Sequence, residues 1–235
     1  MSVLAHLTAL REGQGHQLAW LIDPDEPPTA HHWDRLPEFQ AAGLGLVLVG
    51  GSHIHRAPTP DWIAELRERT ECPVVLFPGS GWQLCAGADA LLFLTLISGR
   101  NPELLIGQQV AAAPFVEQLQ TEVLPTGYLL IDGGRPTSAS YLSQTLPLPA
   151  DKPQLARYTA LAGQYLGLRV LYLDAGSGAE RSVPPDLVAA VGEGTRLPLI
   201  VGGGIRRWSE AQTLFDAGAQ VVVVGTAFER GWGLN

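Results

Sequence analysis

Five short stretches carry residue types that could do chemistry together. In "LIDPDEP", Pro24 halts an apolar run so that Asp23 ends it and projects its carboxylate. One run later "VGGSH" offers Ser52, a small oxygen donor. "VGGGIRR" and "VVVGTAFE" finish two neighbouring apolar runs on Gly203, Gly204, Gly225 and Thr226, and "LYLDAGSGAE" ends another with Gly176, Ser177 and Gly178. Glycine lets main-chain N–H groups approach an anion closely and adopts positive φ without steric penalty, so three such ends in succession point to phosphate. A carboxylate aimed at a phosphate pocket requires a cation or a polyol between them. Mg²⁺ is the natural choice, because it takes one or two protein oxygens and fills its shell with water and phosphate oxygens.

Other chemistries are disfavoured. Lys152 is the single lysine and does not end a strand, which removes the nucleophile of a Schiff-base aldolase. The pair His53 and His55 has the spacing of a metal-binding His-x-His, but no later strand ends in histidine. His31 and His32 read as the solvated start of a polar helix. Cys72 and Cys85 end no strand and read as free thiols.

The elements that must position these residues alternate. Apolar, β-rich runs fall at 18–23, 46–49, 73–77, 90–95, 127–132, 169–174, 198–202 and 220–225. Most lack polar alternation, as expected of parallel strands buried on both faces. Helix-length amphipathic segments lie between them, at 60–70, 102–113, 152–166 and 208–217. Eight strands alternating with helices predict an α/β protein of the (β/α)₈ barrel class, with an open doubly wound sheet as the rival. Only "PGSGWQLCAGAD" separates the third and fourth runs, too little for a full crossover helix, so the helix of the third unit is expected to be shortened or missing. The proline-rich connection 133–150 predicts an irregular excursion, and its "DGGRP" reads equally as a turn or as a wall of the pocket.

The chain has 235 residues, 46% of them hydrophobic and 16% charged, which suits one barrel domain spanning 1–235. A net charge of −8 with no basic block argues against nucleic acid. The N-terminus lacks the pattern of a signal peptide, and the longest apolar run is well short of a membrane span. The expectation is a soluble cytoplasmic protein.

"LIDPD", "VGGS", "SGRNPELLIGQQVAAAP", "DKPQLARYTALAGQYLG", "YLDAGSGA", "VGGGIR" and "VVVGTAFE" together resemble the geranylgeranylglyceryl phosphate synthase family over about 18–230. The resemblance implies a modified TIM barrel with a reduced third helix. It also implies transfer of a prenyl group, geranylgeranyl foremost, from its diphosphate to the 3-hydroxyl of sn-glycerol 1-phosphate. Tyr172, Leu173, Asp174, Ala175, Gly176, Ser177, Gly178, Gly203, Gly204, Gly225 and Thr226 would bind the glycerol phosphate, while Asp23 and Ser52 would hold Mg²⁺ against the diphosphate. Asp174 would accept the hydroxyl proton or orient the hydroxyl, and Tyr172 would bond or wall the glycerol. Family members often carry glutamate where this chain has Asp174, and some carry lysine where it has Leu21. The prenyl tail would run along "ALLFLTLISG" and the glycine-rich segment after Phe77, in the room left by the missing helix. Self-association as a dimer or hexamer is implied as well, with Trp82 and Tyr141 as candidate contacts. The rival readings are a sugar-phosphate isomerase or synthase on the same barrel and a non-catalytic phosphate-binding protein.

Overall fold

The computed structural model describes residues 2–13 and 15–229. Eight parallel strands close into a barrel in sequence order: β1 (Gln17–Ile22), β2 (Leu44–Val49), β3 (Val74–Leu76), β4 (Ala90–Leu96), β5 (Glu122–Leu130), β6 (Val170–Asp174), β7 (Leu199–Gly202) and β8 (Val221–Val224), with β8 returning beside β1. Because side chains alternate across a strand, each run feeds two cores. In β1, Leu18, Trp20 and Ile22 pack outward under the helices, while Ala19 faces the barrel interior. The interior is filled by Leu46, Leu48, Val75, Leu92, Leu124, Val170, Ile200 and Val221 among others, so the barrel is a packed core and not a pore.

The outer layer holds α2 (Ala30–Ala41), α3 (Pro60–Arg69), α4 (Gln108–Leu119), α6 (Pro153–Tyr165), α7 (Pro185–Gly194) and α8 (Trp208–Asp216), with α1 (Val3–Glu12) preceding the barrel and short α5 (Ser138–Ser143) and α9 (Thr226–Glu229) at strand ends. The third unit contains no α-helix: between β3 and β4 the chain makes a single 3₁₀ turn, Gly81–Gln83. The expected reduction is therefore present, and the stretch is too short to do otherwise. Among the described residues no helix is long and apolar enough to cross a membrane.

Three elements differ from the sequence expectation. β5 starts at Glu122, five residues earlier than its apolar run, and passes through Pro125. The ladder tolerates that proline because it uses the carbonyl, which accepts from Arg169 N–H at 2.8 Å. A π-helical turn, Glu103–Gly107, leads into α4, which continues past Pro114 to Leu119. α4 buries only Ala112, so the turn that the proline interrupts lies on a largely exposed helix. Finally, α1 was not foreseen. It closes the amino-terminal end of the barrel by inserting Val3 and Leu7 into the interior core. The Glu122 carboxylate at the start of β5 accepts from Val3 N–H at 2.7 Å and Leu4 N–H at 3.1 Å, which satisfies two orphan donors of the helix.

Leu7 is fully buried in that plug. Leu7→Ala is expected to destabilise the protein by about 2–5 kcal/mol, read by chemical denaturation, and to leave ligand binding at the opposite end of the barrel unchanged.

Candidate functional site at the carboxyl ends of the strands

The strand ends anticipated from the glycines converge on one mouth. β6 ends on Asp174, which is almost wholly buried. A carboxylate removed from water needs partners, and it has two. Its Oδ1 accepts from Gly176 N–H at 2.7 Å, and its Oδ2 accepts a short hydrogen bond from the Tyr128 hydroxyl on β5. Burial pushes the Asp174 carboxyl above its ordinary range, while Tyr128 and the Gly176 amide pull it back. Burial and the neighbouring carboxylate hold both Tyr128 and Tyr172 protonated far into the alkaline range.

Tyr172 and Tyr128 face each other in the β5–β6 register and form an aromatic layer with Phe77. Phe77 stacks on Tyr172 with centroids 4.8 Å apart, and the two tyrosine rings lie 5.6 Å apart. The Tyr172 hydroxyl lies against Gly202, where a Cβ would stand 2.5 Å from it. Leu173 and Ala175 point the other way, into the core beneath the helices. Of the predicted segment, those two can therefore reach a ligand only through main chain.

Around this layer the glycines separate into two kinds. Gly203 and Gly204 have positive φ and abut the β6 loop: a Cβ on Gly203 would stand 2.7 Å from Asp174 Oδ1, and one on Gly204 2.7 Å from the Arg181 carbonyl. Packing demands glycine there. Gly225 lies outside the left-handed region, and among the described residues a Cβ on it would meet nothing closer than the Leu21 carbonyl at 3.5 Å. The fold does not require glycine at 225, so the absent side chain leaves room for something else. The N–H groups of Ser177, Gly178, Gly203 and Gly204 make no hydrogen bond to another described residue. Thr226 opens α9, but its side chain lies outside the described residues.

On the opposite side, Asp23 is half-buried just beyond β1. Its Oδ1 accepts from Asp25 N–H at 2.9 Å; Oδ2 bonds no other described residue and faces Gly51, next to the exposed Ser52. Burial raises the Asp23 carboxyl, and the adjacent Asp25 and Glu26 charges add to this. Asp25, the second acid of "DPD", is a staple instead. It accepts from His55 N–H at 2.7 Å, Arg56 N–H at 2.8 Å and the His55 ring at 2.9 Å. Among the described residues no three His, Cys, Asp or Glu side chains gather in a group that could hold a metal ion. His32 departs from its expected solvated state: it is half-buried, with its ring 6.3 Å from that of Trp20. Cys72 and Cys85 are free.

A cavity of about 330 Å³ opens beside the aromatic layer, where the third unit lacks its helix. Leu94, Leu96, Leu104, Leu130 and Leu142 give it an apolar wall, and Ser52, Gln108, Gln109 and Tyr128 add polar groups to the lining. Gln83, buried on the 3₁₀ turn, joins the walls: its Oε1 accepts from Gly79 N–H and its Nε2 donates to the Gly51 carbonyl, both at 3.0 Å. The sequence reading missed Tyr128 and Gln83. Strand parity placed Tyr128 inward and was available as a signal; nothing local announced Gln83.

A model of the PcrB family matches residues 12–232. The chain belongs to that family. A geranylgeranylglyceryl phosphate synthase of Chitinophaga pinensis is 45% identical over 212 residues, covering 90% of this chain and 84% of the relative. The synthase of Thermococcus gammatolerans is 40% identical over 213 residues, covering 89% and 83%. Among solved structures, (S)-3-O-geranylgeranylglyceryl phosphate synthase from Thermoplasma acidophilum, in complex with its substrate sn-glycerol-1-phosphate, aligns with a TM-score of 0.88 at 32% identity, covering 98% of this chain and 93% of that one. Family membership thus agrees with the resemblance drawn from the motifs.

Because the folded-state carboxyl of Asp174 is raised, its contribution to stability is fully present below the unfolded value and is lost as pH rises through the folded value. Asp174→Asn removes that loss. Its denaturation midpoint is expected to exceed that of the wild type at pH 8, with the gap narrowing below about pH 4; denaturation at several pH values measures this.

Proposed function

We propose that this chain is a prenyltransferase that joins a prenyl diphosphate to the 3-hydroxyl of sn-glycerol 1-phosphate. The observation that carries the reading is Tyr128: it borders the apolar cavity and its hydroxyl holds Asp174. One residue therefore links a slot fit for a hydrocarbon tail to a buried acceptor carboxylate beside a ring of free amides. A sugar-phosphate isomerase has no use for an apolar cavity of this kind, and the identity to synthases of the same family supports the transferase.

In this reading the free amides of the β6 and β7 loops, with Gly225, seat the phosphate, which leaves the glycerol hydroxyl near Asp174. Anchoring both substrates makes the encounter intramolecular. The allylic C1–O bond of the donor breaks and the electron pair leaves with diphosphate. C1 then forms a bond to the glycerol oxygen, and the hydroxyl proton passes to Asp174. Burial makes that carboxylate a better acceptor than an exposed one, and its hydrogen bonds from Tyr128 and Gly176 fix its direction. The aromatic layer of Phe77, Tyr128 and Tyr172 offers π faces to an allylic cation and excludes water from it.

Mg²⁺ fits the Asp23 side of the mouth: one carboxylate oxygen is free, neighbouring acids favour a cation, and Ser52 adds a hydroxyl. Such an ion would act as a Lewis acid on the departing diphosphate. The compartment is proposed to be the cytoplasm; among the described residues no helix is long and apolar enough to cross a membrane. Self-association is proposed through exposed apolar side chains; Trp82 and Tyr141 are 53% and 82% exposed.

The test is incubation with Mg²⁺, sn-glycerol 1-phosphate and prenyl diphosphates of several lengths. Formation of a prenyl ether and diphosphate supports the reading; turnover of a sugar phosphate alone overturns it. Asp23→Asn is expected to lower kcat about 10²–10³-fold while glycerol phosphate still binds in calorimetry. Gly225→Ala is expected to fold normally and to raise KM for glycerol phosphate about tenfold. Leu94→Trp in the cavity wall is expected to shorten the longest accepted prenyl chain, read from the product spectrum.

A further inference from the structure

The mouth of the barrel is electrically lopsided. Asp23, Asp25 and Glu26 crowd the β1 side, while Arg135, Arg181, Arg206 and Arg207 lie on the loops after β5, β6 and β7. The arginines do not play equivalent parts. Arg206 is committed to main chain, donating to the Ala179 carbonyl at 2.6 Å and the Glu180 carbonyl at 2.8 Å, which locks the β6 loop to the β7 loop. Arg135 is exposed and makes no hydrogen bond or ion pair with another described residue. It nevertheless sits against the predicted phosphate cradle: its Nη2 lies 2.9 Å from where a Cβ on Gly178 would stand.

The segment bearing Arg135 is built into that cradle. A Cβ on Gly133 would stand 2.9 Å from the Ala175 carbonyl, and one on Gly176 would stand 2.6 Å from Thr137 Oγ1. The Gly133 carbonyl accepts from the N–H groups of Glu180 and Arg181 at 2.9 and 3.0 Å. Residues 133–137 therefore wrap the β6 loop from outside and hold a guanidinium at its rim. The "DGGRP" stretch is both a turn and a wall.

A phosphomonoester carries close to two negative charges, whereas amides contribute only partial charges. The carboxylates of Asp174 and Asp23 flank the site, and the chain is at −8 overall. A full cation with a free fork is the missing partner. We propose that Arg135 binds the phosphate of the glycerol phosphate substrate directly and sets selectivity for a phosphorylated over an unphosphorylated polyol. This rests on the reading that the β6–β8 loops seat that substrate.

Calorimetric binding of sn-glycerol 1-phosphate to wild type, Arg135→Gln and Arg135→Lys at two or three ionic strengths tests it. The expected result is about tenfold to hundredfold weaker binding by Arg135→Gln, partial rescue by Arg135→Lys, and a shallower salt dependence in Arg135→Gln than in wild type. KM for the prenyl diphosphate should not move. If wild type binds and Arg135→Gln binds as tightly with the same salt dependence, the proposal is overturned; a change confined to the prenyl diphosphate overturns it too. If wild type itself does not bind glycerol phosphate, the underlying reading of the site fails instead.

Discussion

The hydrogen bond from Tyr128 to Asp174 is the constraint around which the mouth is arranged. A carboxylate buried at the end of β6 is costly unless its oxygens are met, and removing a single partner leaves a buried charge exposed to that cost. Tyr128 can reach it because the parallel register sets the two tyrosines side by side and leaves Asp174 one inward step further along. The Gly176 amide covers the other oxygen only because Gly176 adopts a positive φ, where a side chain would strike Thr137. The barrel register, the glycine loop and the residue type at 128 are thus parts of one solution.

The second organising fact is a deletion. With only a 3₁₀ turn between β3 and β4, the outer layer has a gap, and the apolar cavity occupies it. β4 and β5 each present inward leucines to that space, and α5 closes part of it through Ala139 and Leu142. The cavity reaches the aromatic layer at Tyr128, and the glycine loops reach it at Tyr172, an arrangement that suits the proposed reaction between a long amphiphile and a small polar alcohol.

Much of this was legible in the sequence. Strands buried on both faces leave unbroken apolar runs, so all eight strands were visible, and the twelve residues "PGSGWQLCAGAD" were too few to hide a crossover helix. The glycines at 203, 204 and 225 marked the mouth, although their reasons differ: packing fixes the first two and leaves the third free. What escaped notice depended on tertiary partners. α1 carries just two buried apolar residues, too weak a periodicity to register, and its stability derives from the barrel floor and Glu122. Asp25 and Asp23 look alike in "DPD", and only the approach of His55 and Arg56 separates the staple from the open carboxylate. Tyr128 read as one more apolar strand residue until the neighbouring strand supplied its partner.

Gln83 joins two walls that would otherwise be independent. Its amide spans from the loop after β3 to the loop after β2, and the glycine backbones there are too close for either loop to shift alone. The same two loops border the cavity and carry Ser52 toward the Asp23 side. The position of Ser52 is therefore mechanically geared to the shape of the cavity. Leu104 and Leu142 line the same cavity without taking part in that link, so changes there can reshape it and leave the two loops coupled.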